Sequence, residues 1–315
     1  MTARVSRALQ IGLGLAGLAG ALVMVRHTDF DAVRAFGRWV VLVVAVEGLR
    51  VFAEAMATRC LLGREVRLPW WPLLRVHLTG YAIAMIMPAG RSVAEASKAV
   101  MLRRWLTTER CAGVGATNQA LVMLAAGVVA LPCALAALAA AHVVLAGAIA
   151  VQALSLLVAG GGLLAMLRSQ RFTTWVARRL PRAAAVVRGA GEGAQVPGVP
   201  GALGWFALHR GVQAFQIGVL LATLHRFEPL RTFALTGASI VGTSVGVAVP
   251  GQLGVVGGAL ALAAPGLGLA AAQGLALALV LHAAQLAWVV VGFAVWTVTR
   301  PGARPSARER KTGAQ

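Results

Sequence analysis

The chain has 315 residues, of which 59% are hydrophobic and only 12% are charged, and its mean hydropathy is +0.79. This composition excludes a soluble globular protein and indicates an all-α polytopic membrane protein. The net charge of +19 does not indicate nucleic-acid binding, because the basic residues flank apolar segments instead of forming one soluble face. We expect them to anchor the chain at the membrane surface.

Apolar runs predict six full transmembrane helices, because most of them reach the roughly 20 residues that a spanning helix needs. They are residues 8–25, 39–58, 111–131, 143–167, 203–224 and 269–298. No small-residue cleavage site precedes Arg26, so we expect the first run to be retained as a span. The positions of Arg and Lys near the segment ends predict that both termini are cytoplasmic.

Two Pro/Gly breaks divide the other apolar segments into short arms. The first segment consists of arm 76–87, the tip residues Pro88 and Gly90, and arm 92–102. The second consists of arm 232–249, the tip residues Pro250, Gly251 and Gly254, and arm 255–264. A full crossing at the first arm would put the basic residues after Gly90 outside, against the positive-inside rule. We therefore predict two re-entrant helical hairpins that enter from opposite faces, as in an inverted repeat.

The domain organisation follows from the same segments. Residues 1–300 are expected to form one integral membrane domain, with a first half of about 1–135 and a second half of about 136–300. The basic loop 168–200 is predicted to begin with an interfacial amphipathic helix and to continue into a flexible linker over 189–201. The polar tail 301–315 is predicted to be cytoplasmic and disordered.

Charged residues near the first break are the main functional candidates, because ionisable groups at membrane depth are costly. Arg91, Glu95 and Lys98 lie at or just after the break, where a new helix N-terminus offers N–H donors and a positive dipole end. We expect these three residues to contact a lipid headgroup. The alternative is that Glu95 only neutralises the two cations.

The other candidates for substrate binding lie on two predicted spans. Glu47, Arg50 and Glu54 share one helical face of the second span. Two interpretations stay open: an internal ion-pair ladder that orients the helix, or a lining of the substrate path. His282, in the last span, is either a polar packing residue or a titratable group that takes part in lipid or proton handling.

Absent motifs argue against an enzyme. Asp29 and Asp31 are the only aspartates, so no Asp-rich metal motif exists, and Lys98 and Lys311 are the only lysines and form no P-loop. The three cysteines lack the spacing of a metal or redox site. We therefore expect no catalytic residue, no cofactor and no metal.

Both breaks also resemble family signatures. The segment from Pro88 to Lys98 is similar to a Pro-Gly signature followed by Glu-x-x-Arg, with Lys98 in place of the arginine. The segment from Pro250 to Gly254 is similar to a second signature, Pro-Gly-Gly-x-Gly. Together they resemble the flippase-like integral membrane family that includes the transmembrane region of lysylphosphatidylglycerol synthases.

Two charged positions of that family differ in this chain. The family usually carries a glutamate just after the second glycine signature and an arginine on the following span, and Gly257 and His282 stand in those places here. Losing both charges together avoids an unpaired buried ion. Because only a short tail follows Arg300, we do not expect the aminoacyltransferase domain of the synthases. The resemblance therefore implies lipid translocation without lipid synthesis.

Three functions are compatible with the sequence. The first is a transporter of the bacterial inner membrane that moves a polar-headed phospholipid or lipid-linked molecule between leaflets, using a cavity between the hairpins. The second is a non-transporting accessory or scaffold subunit of a membrane glycosyltransferase or lipid-modifying enzyme, and the third is a metal-independent membrane transferase. Expected partners are membrane lipids, and either a second copy or a membrane enzyme. Accessible polar residues at the hairpin tips would favour the first function, and a dry, closely packed centre the second.

Overall fold

The computed structural model describes residues 19–20, 22–63, 66, 68–87, 89–179, 198–224, 227–252 and 254–298. This part of the chain contains no strand, so the all-helical prediction is confirmed there. The α-helices are α1 (Phe30–Phe36), α2 (Trp39–Leu62), α3 (Trp70–Ile86), α4 (Gly90–Leu102), α5 (Thr108–Ala139), α6 (Val143–Arg168), α7 (Gln170–Arg179), α8 (Val199–Leu224), α9 (Pro229–Val245), α10 (Val255–Ala263) and α11 (Ala271–Val298).

Four helical segments in the described residues are long and apolar enough to cross a membrane: α5, α6, Pro229–Ala248 and α11. Helices α2 and α8 occupy two further predicted spans and have 24 and 26 residues; α2 carries four charged side chains and α8 carries one, Arg210. The predicted first span lies mostly outside the described residues, as does the predicted tail. The count of six spans and the re-entry of both hairpins therefore stay predictions.

The first predicted break is present between α3 and α4. Met87 is extended after the end of α3, and Ala89 has a left-handed φ of 51°. Gly90 then begins α4 so close to α3 that an added Cβ would overlap the carbonyl oxygen of Ala84. Glycine is therefore required here, because it permits this close approach of two backbones. Pro88, the predicted tip, lies outside the described residues.

The second predicted break is longer and consists of two short 3-10 turns, Gly246–Ala248 and Pro250–Gln252. Gly251 has a φ of 60°, and Gly254 has a φ of 79° and is the N-cap residue of α10. A Cβ at Gly254 would lie 2.7 Å from the Cα of Gly20. Both the left-handed conformation and the tight contact favour glycine at this position.

The two halves of the chain pack in corresponding ways. In each half a long helix precedes the hairpin and another follows it: α2 and α5 in the first half, α8 and α11 in the second. Helix α2 packs along α8, α3 packs against α11, and the counterpart arm α9 packs against α5. Exchanging the halves therefore leaves the contact of α2 with α8 unchanged and converts the contact of α3 with α11 into that of α9 with α5, which is the pattern of an internal repeat.

One boundary prediction is wrong. The flexible linker was predicted to continue to Gly201, but α8 begins at Val199. Gly198 lies against Cys60 so closely that a Cβ there would overlap the Cys60 carbonyl oxygen. Glycine in this stretch therefore serves close packing of α8 against the end of α2. The predicted amphipathic helix of the basic loop is present as α7, whereas Pro181 and the linker over 189–197 lie outside the described residues.

Candidate functional site

A cavity of about 130 Å³ lies where both hairpins meet α2, α8 and α11. One water molecule needs roughly 10–15 Å³, so this cavity can hold several waters or a small polar group. Its charged lining residues are Arg50, Glu54, Arg91, Glu95, Lys98 and Arg210. Its neutral polar lining residues are Tyr81, His209, Gln213, Ser239, Thr243, Gln252, His282 and Gln285. The centre of the molecule is therefore polar, although the helices around it are mostly apolar.

Most of the residues predicted to contact substrate lie on this cavity. They are Arg50, Arg91, Glu95, Lys98 and His282. Glu47, the other predicted contact residue, lies behind Arg50 and does not line the cavity. The tip residues Gly90, Pro250, Gly251 and Gly254 lie in the two helix breaks that hold the cavity-lining arms in place.

Glu47 is bound from three helices and is only 1% exposed. Nη1 of Arg50 donates to both carboxylate oxygens of Glu47, at 2.9 and 3.0 Å, and the Tyr81 hydroxyl donates to Oε1 at 2.6 Å. Nε2 of Gln216 donates to the same carboxylate at 2.9 Å. Because these donors occupy its oxygens, Glu47 connects α2, α3 and α8 and orients Arg50. This arrangement matches the ion-pair interpretation of the α2 face.

Glu54 does not continue that ladder. Its carboxylate pairs with Nη2 of Arg91 at 3.3 Å, across to the first hairpin. Nη2 of Arg50 points instead to Nε2 of His209 at 3.1 Å. Because a guanidinium group only donates, Nε2 must accept, and Nδ1 then carries the proton and lies 3.2 Å from the Arg50 carbonyl oxygen. His209 is therefore a neutral ring that links α2 to α8.

Glu95 and Lys98 form a second ion pair on the first hairpin. Nζ of Lys98 lies 2.6 Å from Oε1 of Glu95. The Lys98 stem packs across Gly80, where an added Cβ would be 2.9 Å from its Cγ. One expected alternative was that Glu95 neutralises Arg91 as well. The structure differs, since Arg91 takes Glu54 of α2 as its partner. The hairpin is thus held to α2 by a charge pair that spacing within α4 does not reveal.

A small polar pocket of about 10 Å³ adjoins this pair and is lined in part by Thr58, His77 and Asn118. Nδ2 of Asn118 donates to the Thr58 hydroxyl at 2.9 Å. His77 is only 2% exposed, and neither ring nitrogen has a hydrogen-bond partner among the described residues. The volume suits about one water molecule. This pocket extends the polar region from the central cavity towards α5.

Helix α8 contributes side chains that motif reasoning missed. Arg210 and Gln213 are 8% and 5% exposed, and Nη1 of Arg210 donates to Oε1 of Gln213 at 3.0 Å. Nε2 of Gln213 in turn donates to the hydroxyl of Ser239 at 2.8 Å, on the second hairpin. No Pro/Gly break adjoins these residues. Arg210 could have been found from the sequence, because it is a charged residue within the apolar run 203–224. A charge at membrane depth is costly and therefore indicates a functional candidate.

The second hairpin lines the cavity with neutral groups. Thr243 donates through its hydroxyl to the Ser239 carbonyl oxygen at 2.7 Å, and Gln252 reaches the cavity from a left-handed backbone with φ 56°. Nδ1 of His282 donates to the Ala278 carbonyl oxygen at 2.8 Å, and the backbone of Gly251 also interacts with this ring. His282 therefore joins the last helix to the tip of the second hairpin.

Gly257, the other position singled out by the resemblance, does not line the cavity. An added Cβ there would lie 2.9 Å from the sulfur of Met24 and 3.5 Å from Leu275. Gly257 thus lies in a packed contact with Met24, and a larger side chain at this position would have to displace Met24. Of the two departures from the family signature, only His282 is a cavity residue.

The arrangement offers donors and ion pairs, and lacks the grouping that a metal ion needs. Within the described residues no cluster of His, Cys, Asp and Glu suited to a metal is found. The site instead presents guanidinium, ammonium, hydroxyl and amide groups to one polar cavity. Such groups bind phosphate, hydroxyl and carbonyl oxygens by charge-assisted hydrogen bonds.

Comparison with known proteins gives one match. The family model described as "Lysylphosphatidylglycerol synthase TM region" matches residues 9–293. No curated protein and no solved structure matches the chain. The matched residues include every helix described above except the last turn of α11, and they contain the whole cavity.

Proposed function

Because this chain belongs to the family of the lysylphosphatidylglycerol synthase transmembrane region, we propose that it moves a polar-headed lipid or lipid-linked molecule between the two leaflets of the membrane. The observation that carries the proposal is the central polar cavity, which both hairpins line. A charged side chain at membrane depth costs about 2.5–3.5 kcal/mol on insertion scales. Six charged residues around one cavity are a large cost for a chain that needs only to pack its helices.

The cavity supplies what a headgroup needs during translocation. A headgroup that leaves water loses its hydration, and buried donors and acceptors can replace those hydrogen bonds. The Arg91 side chain is 30% exposed, and both the Arg91–Glu54 and the Lys98–Glu95 pairs line the cavity, so they can exchange partners with a headgroup bound there. The acyl chains would stay in the surrounding lipid. Membrane lipids are then the main partners, and the two hairpins provide the elements that alternate access to the cavity.

The proposal includes the topology. Six spans, two hairpins entering from opposite faces and cytoplasmic termini would place the cavity near mid-membrane in a bacterial inner membrane. Position 104 lies just after the first hairpin and is exposed. In a variant without Cys60, Cys111 and Cys133, a cysteine introduced as Arg104→Cys should react with impermeant reagents only from the cytoplasmic side. Labelling of that position from outside alone would contradict the re-entrant hairpin.

The rival scaffold function is supported less well. Helix α6 exposes an apolar face that includes Val144, Val151 and Leu154, but a lipid-facing helix would expose the same face. A scaffold needs no polar cavity at its centre. We also propose that the protein is not an enzyme, since, among the described residues, the charged side chains of the cavity other than Arg210 are engaged in ion pairs.

A matched pair of threonine substitutions tests the transport function. Thr243 lines the cavity and is partly buried, whereas Thr297 is exposed near the end of α11. Thr243→Phe would fill part of the cavity and exclude a headgroup, so it should reduce translocation of a fluorescent phospholipid in proteoliposomes by about tenfold or more, which corresponds to about 1.4 kcal/mol in the transport barrier. Thr297→Phe should translocate at the wild-type rate.

Both variants must elute as monodisperse protein with a wild-type melting temperature to within a few degrees. Unimpaired translocation by a well-folded Thr243→Phe would exclude the cavity as the transport path. Wild-type protein that leaves every tested lipid in its original leaflet would contradict the proposal as a whole.

A further inference from the structure

The charges around the cavity do not balance. Three ion pairs use the three glutamates of this region: Arg50 with Glu47 at 2.9 Å, Arg91 with Glu54 at 3.3 Å, and Lys98 with Glu95 at 2.6 Å. Arg210 is a fourth cation on the same cavity, and no carboxylate among the described residues lies within ion-pair distance of it. The site therefore carries one positive charge in excess.

The neighbours of Arg210 do not neutralise it. Its Nη1 donates to the neutral amide oxygen of Gln213 at 3.0 Å, and it is only 8% exposed. The adjacent His209 is neutral, because its Nε2 accepts from Arg50. The ring adds no further positive charge and cannot supply a negative one. Arg210 thus presents a guanidinium group to the cavity with most of its donors unused by protein carboxylates.

An unpaired buried cation destabilises a protein, so a purely structural role would be filled better by a neutral side chain. A guanidinium group binds phosphate oxygens through two parallel N–H donors and stays charged at every physiological pH. Gln213 and Ser239, which form a hydrogen-bonded chain with Arg210, are suited to the hydroxyl groups of a headgroup. The unused charge and its polar surroundings therefore fit a phosphate-containing ligand.

We infer that Arg210 anchors the phosphate of an anionic phospholipid headgroup, so that the site prefers a headgroup with a net negative charge. This inference rests on the proposed function and specifies its substrate class. A phosphatidylglycerol headgroup carries one negative charge and would neutralise the excess charge of the cavity. A phosphatidylethanolamine headgroup has no net charge, and a lysyl ester of phosphatidylglycerol adds two ammonium groups, so both fit the site less well.

The test measures equilibrium binding, separately from transport. Short-chain phosphatidylglycerol, phosphatidylethanolamine and lysylphosphatidylglycerol are titrated into the purified full chain in detergent, and binding is followed by thermophoresis. Phosphatidylglycerol should bind most tightly to the wild type. Arg210→Gln should weaken that binding by about tenfold or more, the effect of losing a charge-assisted hydrogen bond, and should abolish the preference. Arg210→Lys should retain most of the preference because it retains the charge.

Two measurements separate this role from a structural one. Arg231 lies outside the cavity and is paired with Glu228 at 2.8 Å, so Arg231→Gln should leave the binding preference unchanged. In the ligand-free protein, Arg210→Gln should raise the melting temperature or leave it unchanged, because it removes an unpaired buried charge. A residue that only held the fold together would lower the melting temperature when removed, and that result would overturn the inference.

Other outcomes also decide the inference. An undiminished preference in Arg210→Gln, or tighter binding of lysylphosphatidylglycerol than of phosphatidylglycerol by the wild type, would overturn it. Displacement of the lipid by equimolar glycerol phosphate would overturn the assignment to a lipid in favour of a free anion. Arg210-dependent preference without translocation would support this inference and refute the proposed function. Translocation without that preference would support the proposed function and refute this inference.

Discussion

The two hairpins place different chemistry on the same cavity. The first carries Arg91, Glu95 and Lys98 on α4, whereas the second lines the cavity with neutral groups such as Thr243 and Gln252. The first is held by an ion pair that reaches α2, and the second by hydroxyl-to-backbone hydrogen bonds and small residues. The comparison indicates that the first hairpin contributes charged groups to the cavity, whereas the second contributes neutral groups and closely packed backbone.

The chain reversals at the tips of the two hairpins also differ. The first hairpin turns with a single described left-handed residue, Ala89, next to Gly90. The second uses two 3-10 turns and three left-handed residues, Gly251, Gln252 and Gly254. Steric changes should therefore damage the second hairpin most, and electrostatic changes the first. The following substitutions test this difference, beginning with the largest expected effect.

Gly254→Leu should abolish folding or nearly so. Gly254 has φ 79°, and a Cβ there would contact the Cα of Gly20 at 2.7 Å, a backbone atom that cannot move aside alone. The matched control is Gly258→Leu on the same hairpin, where an added Cβ meets nothing within 4 Å. The yield of monodisperse protein is the measurement. Equal, wild-type yields for the two variants would contradict a tight second hairpin.

Glu95→Gln should lower the stability of the first hairpin by about 3 kcal/mol, because it leaves the buried Lys98 without its partner. The double variant Glu95→Gln and Lys98→Met removes the orphaned charge and should recover most of the loss. Thermal unfolding in detergent measures both. If the double variant is no more stable than the single one, the loss does not come from the charge pair.

Lys98→Arg should retain the fold and change transport. The charge is conserved, but the guanidinium is larger and planar, and the stem that crosses Gly80 has little room to adjust. We expect a melting temperature close to that of the wild type and an altered rate of lipid translocation in proteoliposomes. Normal translocation by well-folded Lys98→Arg and Glu95→Gln variants would remove this ion pair from the mechanism.

Ala89→Gly should have the smallest effect, a gain in stability. A left-handed alanine costs roughly 1–2 kcal/mol and glycine's extra chain entropy offsets part of it, so the net gain should be about 0.5–1 kcal/mol. Ala141, with φ 59° between α5 and α6, is the matched control, and Ala141→Gly should be stabilising to the same extent. If strain at the first hairpin tip serves transport, only Ala89→Gly will also change the translocation rate.

From the amino-acid order alone, the class of protein, the helical architecture and the two breaks could be predicted. Hydropathy reports burial in lipid over whole segments, and closely spaced Pro and Gly residues favour a helix break through local backbone geometry, so neither signal depends on a partner. A single proline, such as Pro132 inside α5, is accommodated within a helix. The candidate residues Arg91, Glu95 and Lys98 could be selected for the same reason, since a charge inside an apolar run is visible in the run itself.

Only the tertiary structure decided which charges pair and which one is left over. Spacing along a helix identifies neighbours on one face, and the ion pair of Glu47 with Arg50 matches one of the two interpretations that this spacing left open. It could not predict that Glu54 turns to Arg91 on the first hairpin, because that contact depends on how α4 packs beside α2. Nor could it bring Arg210 to the cavity, since the packing of α8 along α2 determines which groups face the cavity from that helix.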